Sequence, residues 1–296
     1  MNYKILLIVN PIAGKIKKNR YYNEIIGNLQ EQGHEVQLRN TTKRNNASFI
    51  IRNYKKDYDI VIVCGGDGTL NETMQGLYDL NKSVQVGFIP FGTTNDYAKS
   101  IKSSFDKVHL SKYINSYVTK EIDLGLFNNR VFNYVASFGL FAKSSYNVSY
   151  KLKNKFGRLA YVFSGIKELF TYKSYNLKIN YDDKEIDDCF IYGSISNSMY
   201  IGGFNIYKRS DVKLDDGLFE VLLVKKTKNI FHTIWLLLKV LTGHHEDKNI
   251  ITFKTSNIKI EAMDDFAWTI DGEYEGATSN IEIRNLNKFS KFILPK

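Results

Sequence analysis

Hydrophobic positions form two different patterns along the chain, and the first pattern extends to about residue 125. Lys4 to Val9 is an almost continuous apolar run, which is typical of a strand buried in a parallel sheet. Similar runs predict strands at 35–40, 59–64 and 84–89, and helical spacing predicts helices at 20–32, 47–54 and 70–80. This alternation predicts a doubly wound α/β domain, in which ligands bind at the carboxyl ends of the strands.

After about residue 120, short strands dominate the pattern. The predicted strands are 120–127, 130–137, 174–181, 184–197, 218–225, 250–255, 257–261, 266–271 and 281–285. Amphipathic helices are predicted near 158–170 and 230–241, and for the second of them core burial is favoured over contact with lipid. The change of period predicts a β-rich second domain, with domain limits at 1–125 and 126–287.

Composition and charge narrow the range of partners. With 43% hydrophobic and 24% charged residues, the chain is expected to be globular, and its formal charge of +10 attracts polyanions such as nucleotides or anionic membranes. No Arg-rich helix or zinc-finger spacing favours nucleic acid. The sequence starts without a signal-peptide pattern, and Cys64 and Cys189 have the character of small buried residues in a reducing compartment. We therefore expect a cytoplasmic protein that binds no nucleic acid.

The strongest chemical signal is Gly65-Gly66-Asp67-Gly68-Thr69, which lies between a predicted strand and a predicted helix starting near Leu70. Glycines let backbone N–H groups approach a polyphosphate closely, and the helix directs its positive end to the same place. Asp67 can bind a magnesium ion that accompanies a nucleotide, and Asn71 and Glu72 follow within reach. The alternative is a plain strand-to-helix turn. Walker-loop and protein-kinase segments are missing from the sequence, so a nucleotide site of another design is predicted.

Residues 65–72 resemble the signature of the diacylglycerol kinase catalytic-domain family, which also includes bacterial lipid kinases, ceramide kinase and sphingosine kinases. Segments 10–14, 92–98 and 271–273 resemble further segments of that family in the same order. The resemblance covers the whole chain and is closest to the soluble bacterial branch. It implies an α/β nucleotide domain, a β-sandwich domain, an active site in the cleft, and a return of residues 288–296 to the first domain.

The resemblance also implies which residues contact ATP. These are Asn10, Pro11, Ile12, Ala13, Gly14, Thr41, Gly66, Asp67, Gly68, Thr69, Leu70, Asn71, Glu72, Thr93 and Thr94. It further implies that Asp67, Asp96 and Asp123 form an acidic network around a catalytic Mg2+ ion. Phosphoryl transfer depends mainly on positioning and charge neutralisation, which such a network would serve. For Asp123, the alternative is an acid that only opens a strand turn.

Two acidic segments of the second domain complete the predicted site. In Asp271-Gly272-Glu273, a carboxylate could accept the proton of a lipid hydroxyl. The resemblance implies Glu273 as the base and Asp271 as the second candidate. The alternative is a hairpin turn with solvated acids, because Asp-Gly is a favoured turn dipeptide.

A second acidic loop, 213–218, resembles a structural magnesium site of the bacterial branch. The resemblance implies ligation by the Asp216 carboxylate and by the carbonyls of Lys213 and Leu218, whereas the alternative is a tight turn. The chain departs from the expected pattern upstream, where Ser210 and Val212 replace a proline and a small residue.

Together these segments predict an ATP-dependent lipid kinase that needs Mg2+ and converts diacylglycerol to phosphatidic acid. Its substrate would lie at a membrane surface, so peripheral membrane association is expected. A homodimer is compatible with the resemblance alone, and the sequence leaves the oligomeric state open. The alternatives are a kinase with a soluble acceptor, such as an NAD kinase, and a sensor without catalytic activity. The sequence does not define the lipid acceptor.

Overall fold

The computed structural model describes residues 2–14, 19–103, 106–140, 173–207 and 211–295. The chain divides into two compact units. The amino-terminal unit comprises Met1–Asp123 and Lys288–Lys296, and the carboxy-terminal unit comprises Leu124–Asn287. The helix predicted near 158–170 lies outside the described residues.

Strands and helices alternate in the amino-terminal unit. They are β1 (Lys4–Val9), α1 (Asn19–Glu31), β2 (Glu35–Asn40), α2 (Asn46–Asn53), β3 (Ile60–Gly65), α3 (Asp67–Asp79), β4 (Gln85–Pro90), α4 (Asp96–Ser100) and α5 (His109–Tyr113). A 3-10 helix follows at Ile114–Ser116.

Strands dominate the remaining described residues. They are β5 (Val118–Phe127), β6 (Arg130–Phe132), β7 (Val135–Gly139), β8 (Tyr175–Tyr181), β9 (Lys184–Ser196), β10 (Tyr200–Ile201), β11 (Phe204–Asn205), β12 (Phe219–Lys225), β13 (Ile250–Thr255), β14 (Asn257–Ile270) and β15 (Glu273–Leu294). Helix α6 (Ile230–Leu241) lies between β12 and β13. None of the helices in the described part of the chain is long and apolar enough to cross a membrane.

The sheet of the amino-terminal unit is parallel. β1 pairs with β2 on one side and β3 on the other, and β3 pairs with β4. The end of β15 adds a further parallel strand, because Lys291 and Phe292 pair with β4. Every residue of β3 is buried, and so is every residue of β1 after Lys4, which explains the continuous apolar runs of these strands. Helix α1 packs Ile25 and Leu29 into this core.

The carboxy-terminal unit is built from antiparallel strands. β12 lies between β13 and β9, β9 also pairs with β7 and β8, and β14 pairs with β7, β8 and β15. Trp268 is fully buried in its core, with the ring of Phe138 5.0 Å away and that of Phe127 5.1 Å away. Alternation of buried and exposed positions along β8 and β14 produces this core.

The sequence pattern does not predict α4, α5, β10, β11 or the 3-10 helix, and four predictions differ clearly from the structure. Helix α3 begins at Asp67, three residues before the predicted start. Gly66 is the last residue with an extended backbone (φ −96°, ψ −178°), so the glycine-rich segment itself forms the first helical turn. The predicted strand 130–137 is interrupted at residues 133–134, whose N–H groups donate to a carboxylate instead of a neighbouring strand. The predicted strands 257–261 and 266–271 form the single strand β14, with an irregularity between Glu261 and Phe266. β15 is 22 residues long, although the sequence predicts only 281–285.

Candidate active site

The loop after β1 is tied to the start of α3 by one side chain. β1 and β3 pair in register, so they end at the same edge of the sheet, and the Asn10 N–H donates to the Cys64 carbonyl at 2.9 Å. Nδ2 of Asn10 donates to Oγ1 of Thr69 at 3.0 Å, and its Oδ1 accepts the Ile12 N–H at 3.1 Å. The structure therefore brings the predicted segments 10–14 and 65–72 into direct contact.

The glycine-rich segment is the junction of β3 and α3. Gly65 ends the strand, Gly66 is the N-cap residue, and no side chain caps the helix there. The N–H groups of Thr69 and Leu70 donate to the Gly66 carbonyl at 3.0 and 3.1 Å. The predicted loop residues Asp67 and Gly68 therefore belong to the first helical turn, where the positive end of the helix dipole stabilises an anion.

Close backbone contacts at this sheet edge require glycine. A Cβ atom on Gly92 would lie 2.9 Å from the Gly66 Cα and 2.6 Å from the Asn95 Oδ1. Gly14 has a φ of +71°, and a Cβ atom there would lie 2.2 Å from the carbonyl oxygen of Phe91. The loops after β1, β3 and β4 are therefore packed together through backbone atoms, as expected for a site that binds a ligand through N–H groups.

Two of the predicted magnesium ligands are neighbours. The Asp67 Oδ2 accepts the N–H of Asp96 at 3.2 Å, so the two residues belong to one hydrogen-bonded group. Asp96 is buried, and the Lys99 Nζ lies 2.8 Å from its Oδ1. This ammonium group offsets the cost of burying the carboxylate and holds it in place.

Asn95 is a site residue to which the sequence reasoning assigned no role. It has a left-handed backbone (φ 49°) as the N-cap residue of α4, and its Nδ2 donates to the Gly92 carbonyl at 2.9 Å. Its Oδ1 is buried and has no hydrogen-bond partner among the described residues. A buried acceptor of this kind is available to a ligand. The available signal was the Asn-Asp pair before a short helical segment, since asparagine tolerates the left-handed conformation.

Lys107 also belongs to this region, although nothing in the sequence pattern singled it out. Its ammonium group contacts the carbonyl oxygen of Pro90, at the end of β4, and lies 5.1 Å from the centre of the Phe91 ring. Burial lowers the pKa of Lys107. The nearby thiol of Cys64 is fully buried, and that burial raises its pKa, so Cys64 is an inert core residue.

The other predicted ATP contacts differ in their surroundings. Thr41 is buried, and its N–H donates to the Val9 carbonyl at 2.8 Å, whereas Thr93 is exposed. Glu72 lies one turn further along α3 than predicted. Its Oε1 accepts the N–H of Asn45 at 2.7 Å and its Oε2 accepts that of Ala47 at 3.0 Å, so both oxygens cap helix α2.

Asp123, the third predicted ligand of the catalytic Mg2+, is buried and accepts the N–H of Lys288 at 2.8 Å. Among the described residues, no three His, Cys, Asp or Glu side chains form a group that could hold a metal ion. The three aspartates therefore do not form a preformed metal site, and a network completed by a nucleotide stays a prediction.

In the carboxy-terminal unit, Asp271 and Gly272 form the two-residue turn of the β14–β15 hairpin, with φ values of 49° and 79°. Asp271 is buried rather than solvated. Its Oδ2 accepts the backbone and side-chain N–H groups of Asn133 at 2.8 and 3.1 Å, and its Oδ1 accepts the N–H groups of Tyr134 and Val135 at 3.0 and 3.2 Å. Glu273, the first residue of β15, is exposed.

The predicted structural metal loop is a tight turn in which Gly217 has a φ of +77°. The Asp216 Oδ1 accepts the Leu218 N–H at 3.2 Å, and its Oδ2 lies 3.7 Å from the Lys254 Nζ. That ammonium group also lies 3.0 Å from the buried Glu220 carboxylate. A positive charge therefore already faces Asp216, and a magnesium ion at this loop stays a prediction with Lys254 as its competitor.

The fold and the site together define a class of protein. A glycine-rich strand-to-helix turn with adjacent acids, on a parallel sheet that precedes a β-rich unit, is the arrangement of a phosphotransferase with an α/β nucleotide-binding domain.

Comparison with known proteins gives the particular family. Residues 4–127 match the diacylglycerol kinase catalytic domain, and residues 135–284 match the YegS C-terminal NAD kinase beta sandwich-like domain. The chain belongs to the diacylglycerol kinase catalytic-domain family, and it is therefore a kinase. Both the family resemblance and the fold class expected from the sequence are confirmed.

Individual relatives match over almost their whole length. Diacylglycerol kinase of Bacillus subtilis (strain 168) is 29% identical over 293 residues, which cover 98% of this chain and 96% of the relative. Diacylglycerol kinase of Staphylococcus epidermidis (strain ATCC 12228) is 31% identical, covering 100% and 93%. A solved structure from Bacillus anthracis str. Sterne is 26% identical with a TM-score of 0.81, and the match covers 99% of this chain and 98% of that one.

Proposed function

We propose that the protein transfers the γ-phosphate of ATP to the hydroxyl group of a lipid, and that this lipid is diacylglycerol. The observation that carries the proposal is the packing of Gly66, Gly92 and Gly14 around the uncapped N-terminus of α3, which suits a polyphosphate. The acceptor is supported by the relatives from Bacillus subtilis and Staphylococcus epidermidis, both named diacylglycerol kinase.

In this proposal the amino-terminal unit holds the nucleotide. Backbone N–H groups at the start of α3 would bind the phosphates, and the side chain of Asn10 would keep the first loop against Thr69. Asp67 and Asp96 would hold a magnesium ion, because the Asp96 N–H donates to the Asp67 carboxylate and so keeps both acids beside the glycine-rich turn, with ATP and water supplying further oxygens. When bound, the ion would neutralise phosphate charge.

Asp271 and Glu273 would have different roles. A carboxylate that accepts hydrogen bonds from three consecutive residues cannot turn towards a substrate without breaking them. Asp271 is therefore proposed as a positioning residue that shapes the turn at residues 133–135. Glu273 is exposed, and it is proposed to accept the proton of the lipid hydroxyl as that oxygen attacks the γ-phosphate.

Paired substitutions test this division. We expect Glu273→Gln to lower kcat by about 10²- to 10⁴-fold, because a general base is lost, and to leave the melting temperature unchanged. Asp271→Asn places an amide donor among backbone donors, so we expect it to lower the free energy of unfolding by about 1–3 kcal/mol. Transfer of labelled phosphate to diacylglycerol in detergent micelles and thermal unfolding give the two readouts.

The matched control is Glu275→Gln. Glu275 lies on β15 like Glu273, is partly exposed, and pairs with Arg130 at 3.1 Å. We expect it to retain activity. If Glu273→Gln kept full activity while folded Asp271→Asn lost it, the two roles would be reversed.

A substrate panel tests the acceptor class. The purified protein is incubated with γ-labelled ATP, magnesium, and separately diacylglycerol, ceramide, sphingosine or NAD. We expect label on diacylglycerol. Labelled phosphate on NAD alone would contradict the lipid proposal and favour a soluble acceptor. Transfer of labelled phosphate to none of the acceptors would favour a sensor without catalytic activity.

A further inference from the structure

Helix α6 exposes a row of large apolar side chains, although the sequence predicts that this helix is buried in the core. Thr233, Leu236, Leu237 and Val240 form its buried face. Phe231, Trp235 and Leu238 are 77%, 47% and 53% exposed. Their spacing places them on one side of the helix, opposite the buried residues. We call these three residues the outer stripe.

The helix that carries the outer stripe is capped at its N-terminus. The side chain of Asn229, the N-cap residue, accepts the Phe231 N–H at 2.9 Å, and this bond satisfies a donor at the helix end. Single exposed apolar residues are ordinary, but three in one row on a rigid helix form a patch. Such patches mark protein or membrane contacts.

The sequence around the outer stripe is basic, although one of its lysines, Lys225, is paired with Asp188 at 2.6 Å. From Lys225 to His245 the sequence contains four lysines and no Asp or Glu. Lys226 and Lys228 are exposed immediately before the helix. The Lys239 Nζ lies 4.3 Å from the centre of the Trp235 ring. It donates to the Glu246 carbonyl at 2.6 Å and lies 4.0 Å from the Asp247 carboxylate, and both acids follow the helix. A tryptophan and lysines beside an apolar row are the composition of helices that lie in a membrane interface.

We propose that the outer stripe is the surface that docks on an anionic lipid bilayer. Phe231, Trp235 and Leu238 would insert among the lipid head groups, and Lys226 and Lys228 would contact the lipid phosphates. The proposal rests on the proposed function as a lipid kinase, whose acceptor is found in a bilayer. A second copy of the chain is a poorer partner, because a symmetric contact would place the same lysines against each other.

Tryptophan emission provides a direct readout. The chain contains two tryptophans, and Trp268 is fully buried, so a change on adding vesicles reports on Trp235. We expect a blue shift and cosedimentation with vesicles that contain phosphatidylglycerol. Binding to pure phosphatidylcholine should be weaker, and added salt should reduce binding to the anionic vesicles.

The test variant is the double substitution Phe231→Ser and Leu238→Ser, compared with Met263→Ser as the control. Met263 is 97% exposed on β14 and lies outside the outer stripe. We expect the double variant to bind anionic vesicles at least about tenfold more weakly and the control to bind like the unaltered protein. Equal binding by the double variant would overturn the proposal. So would a change from dimer to monomer in sedimentation with vesicle binding intact, because the stripe would then join two copies.

A second assay separates this proposal from the proposed function. Phosphorylation of a monomeric short-chain diacylglycerol does not require a bilayer, so the double variant should match the unaltered protein there. If the unaltered protein phosphorylated no lipid but its vesicle binding still required the stripe, the docking proposal would stand and the kinase proposal would fail. Full activity on the short-chain lipid without any vesicle binding would overturn the docking proposal alone.

Discussion

At the scale of single residues, contacts between backbones decide how closely the nucleotide loops can pack. Gly14 combines a left-handed conformation with a near approach to the Phe91 carbonyl, and Gly92 lies against Gly66. Any side chain at these positions would push apart loops that come from different strands. The glycines therefore fix the shape of the surface that a phosphate group would contact.

We expect Gly14→Ala to weaken ATP binding by at least about tenfold and to cost about 1–2 kcal/mol of stability, because alanine resists a positive φ and its Cβ meets Phe91. Titration with a fluorescent ATP analogue and urea unfolding measure the two effects.

The control for Gly14 is Gly27→Ala in helix α1, where an added Cβ meets no atom within 4 Å. Alanine favours a helix over glycine, so we expect a gain of up to about 1 kcal/mol and unchanged ATP affinity. Equal ATP affinity for both variants would contradict the role given to Gly14.

At the scale of elements, one acid of α3, Glu72, connects two helices. Helix α2 begins after Asn45, whose side chain makes no capping bond, and Glu72 of α3 supplies the cap instead. The carboxylate also places a negative charge at the positive end of the α2 dipole. The start of α3 and the start of α2 are thereby held together.

We expect Glu72→Ala to lower the free energy of unfolding by about 1–2 kcal/mol, the usual cost of a lost helix cap. Because both oxygens are engaged by α2, we expect the affinity for ATP to fall by less than about threefold. Urea unfolding and nucleotide titration are the measurements.

Glu24→Ala is the control, since that half-exposed acid of α1 pairs with Lys112 at 3.3 Å and such surface pairs contribute less than about 1 kcal/mol. A large loss of ATP affinity in stable Glu72→Ala would instead favour the direct nucleotide contact expected from the sequence.

At the scale of the whole molecule, one buried acid makes stability depend on pH. Burial raises the pKa of Glu220 from an ordinary 4.5 to about 7, against the opposing effect of Lys254. Asp216 and Tyr207 are the other titratable groups close to it. Between these pH values the folded protein keeps a proton that the unfolded chain releases. The contribution of Glu220 to the free energy of unfolding therefore falls as pH rises from 4.5 to 7.

We expect Glu220→Gln, which cannot ionise, to remove this part of the pH dependence and to be the more stable protein above pH 7, by at most about 3 kcal/mol. Urea unfolding at a series of pH values is the measurement. Glu185→Gln, which alters an exposed pair with Lys178, should keep the profile of the unaltered protein. A Glu220→Gln profile parallel to that of the unaltered protein would contradict the assignment.

The order and type of most elements follow from local sequence patterns, because the spacing of apolar residues shows which face of each strand and helix is buried. The apolar runs of β1 and β3 predicted buried parallel strands, and helix α6 spans Ile230–Leu241 as predicted. The glycine-rich turn was also recognisable locally, since strand, glycines and helix follow one another. β15 was mostly missed, because many of its positions are polar and half-exposed and its pairing with β14 stabilises it.

The contacts of individual side chains, in contrast, depend on the folded structure. Asp271 and Glu273 lie two positions apart in one acidic triplet, yet Asp271 accepts hydrogen bonds from residues 133–135 and Glu273 is exposed. Glu72 caps a helix 25–27 residues away, and the outer stripe is exposed although its residues are apolar. The physical reason is the same in each case. Hydrogen-bond partners and burial depend on segments far apart in the sequence, which local patterns do not encode.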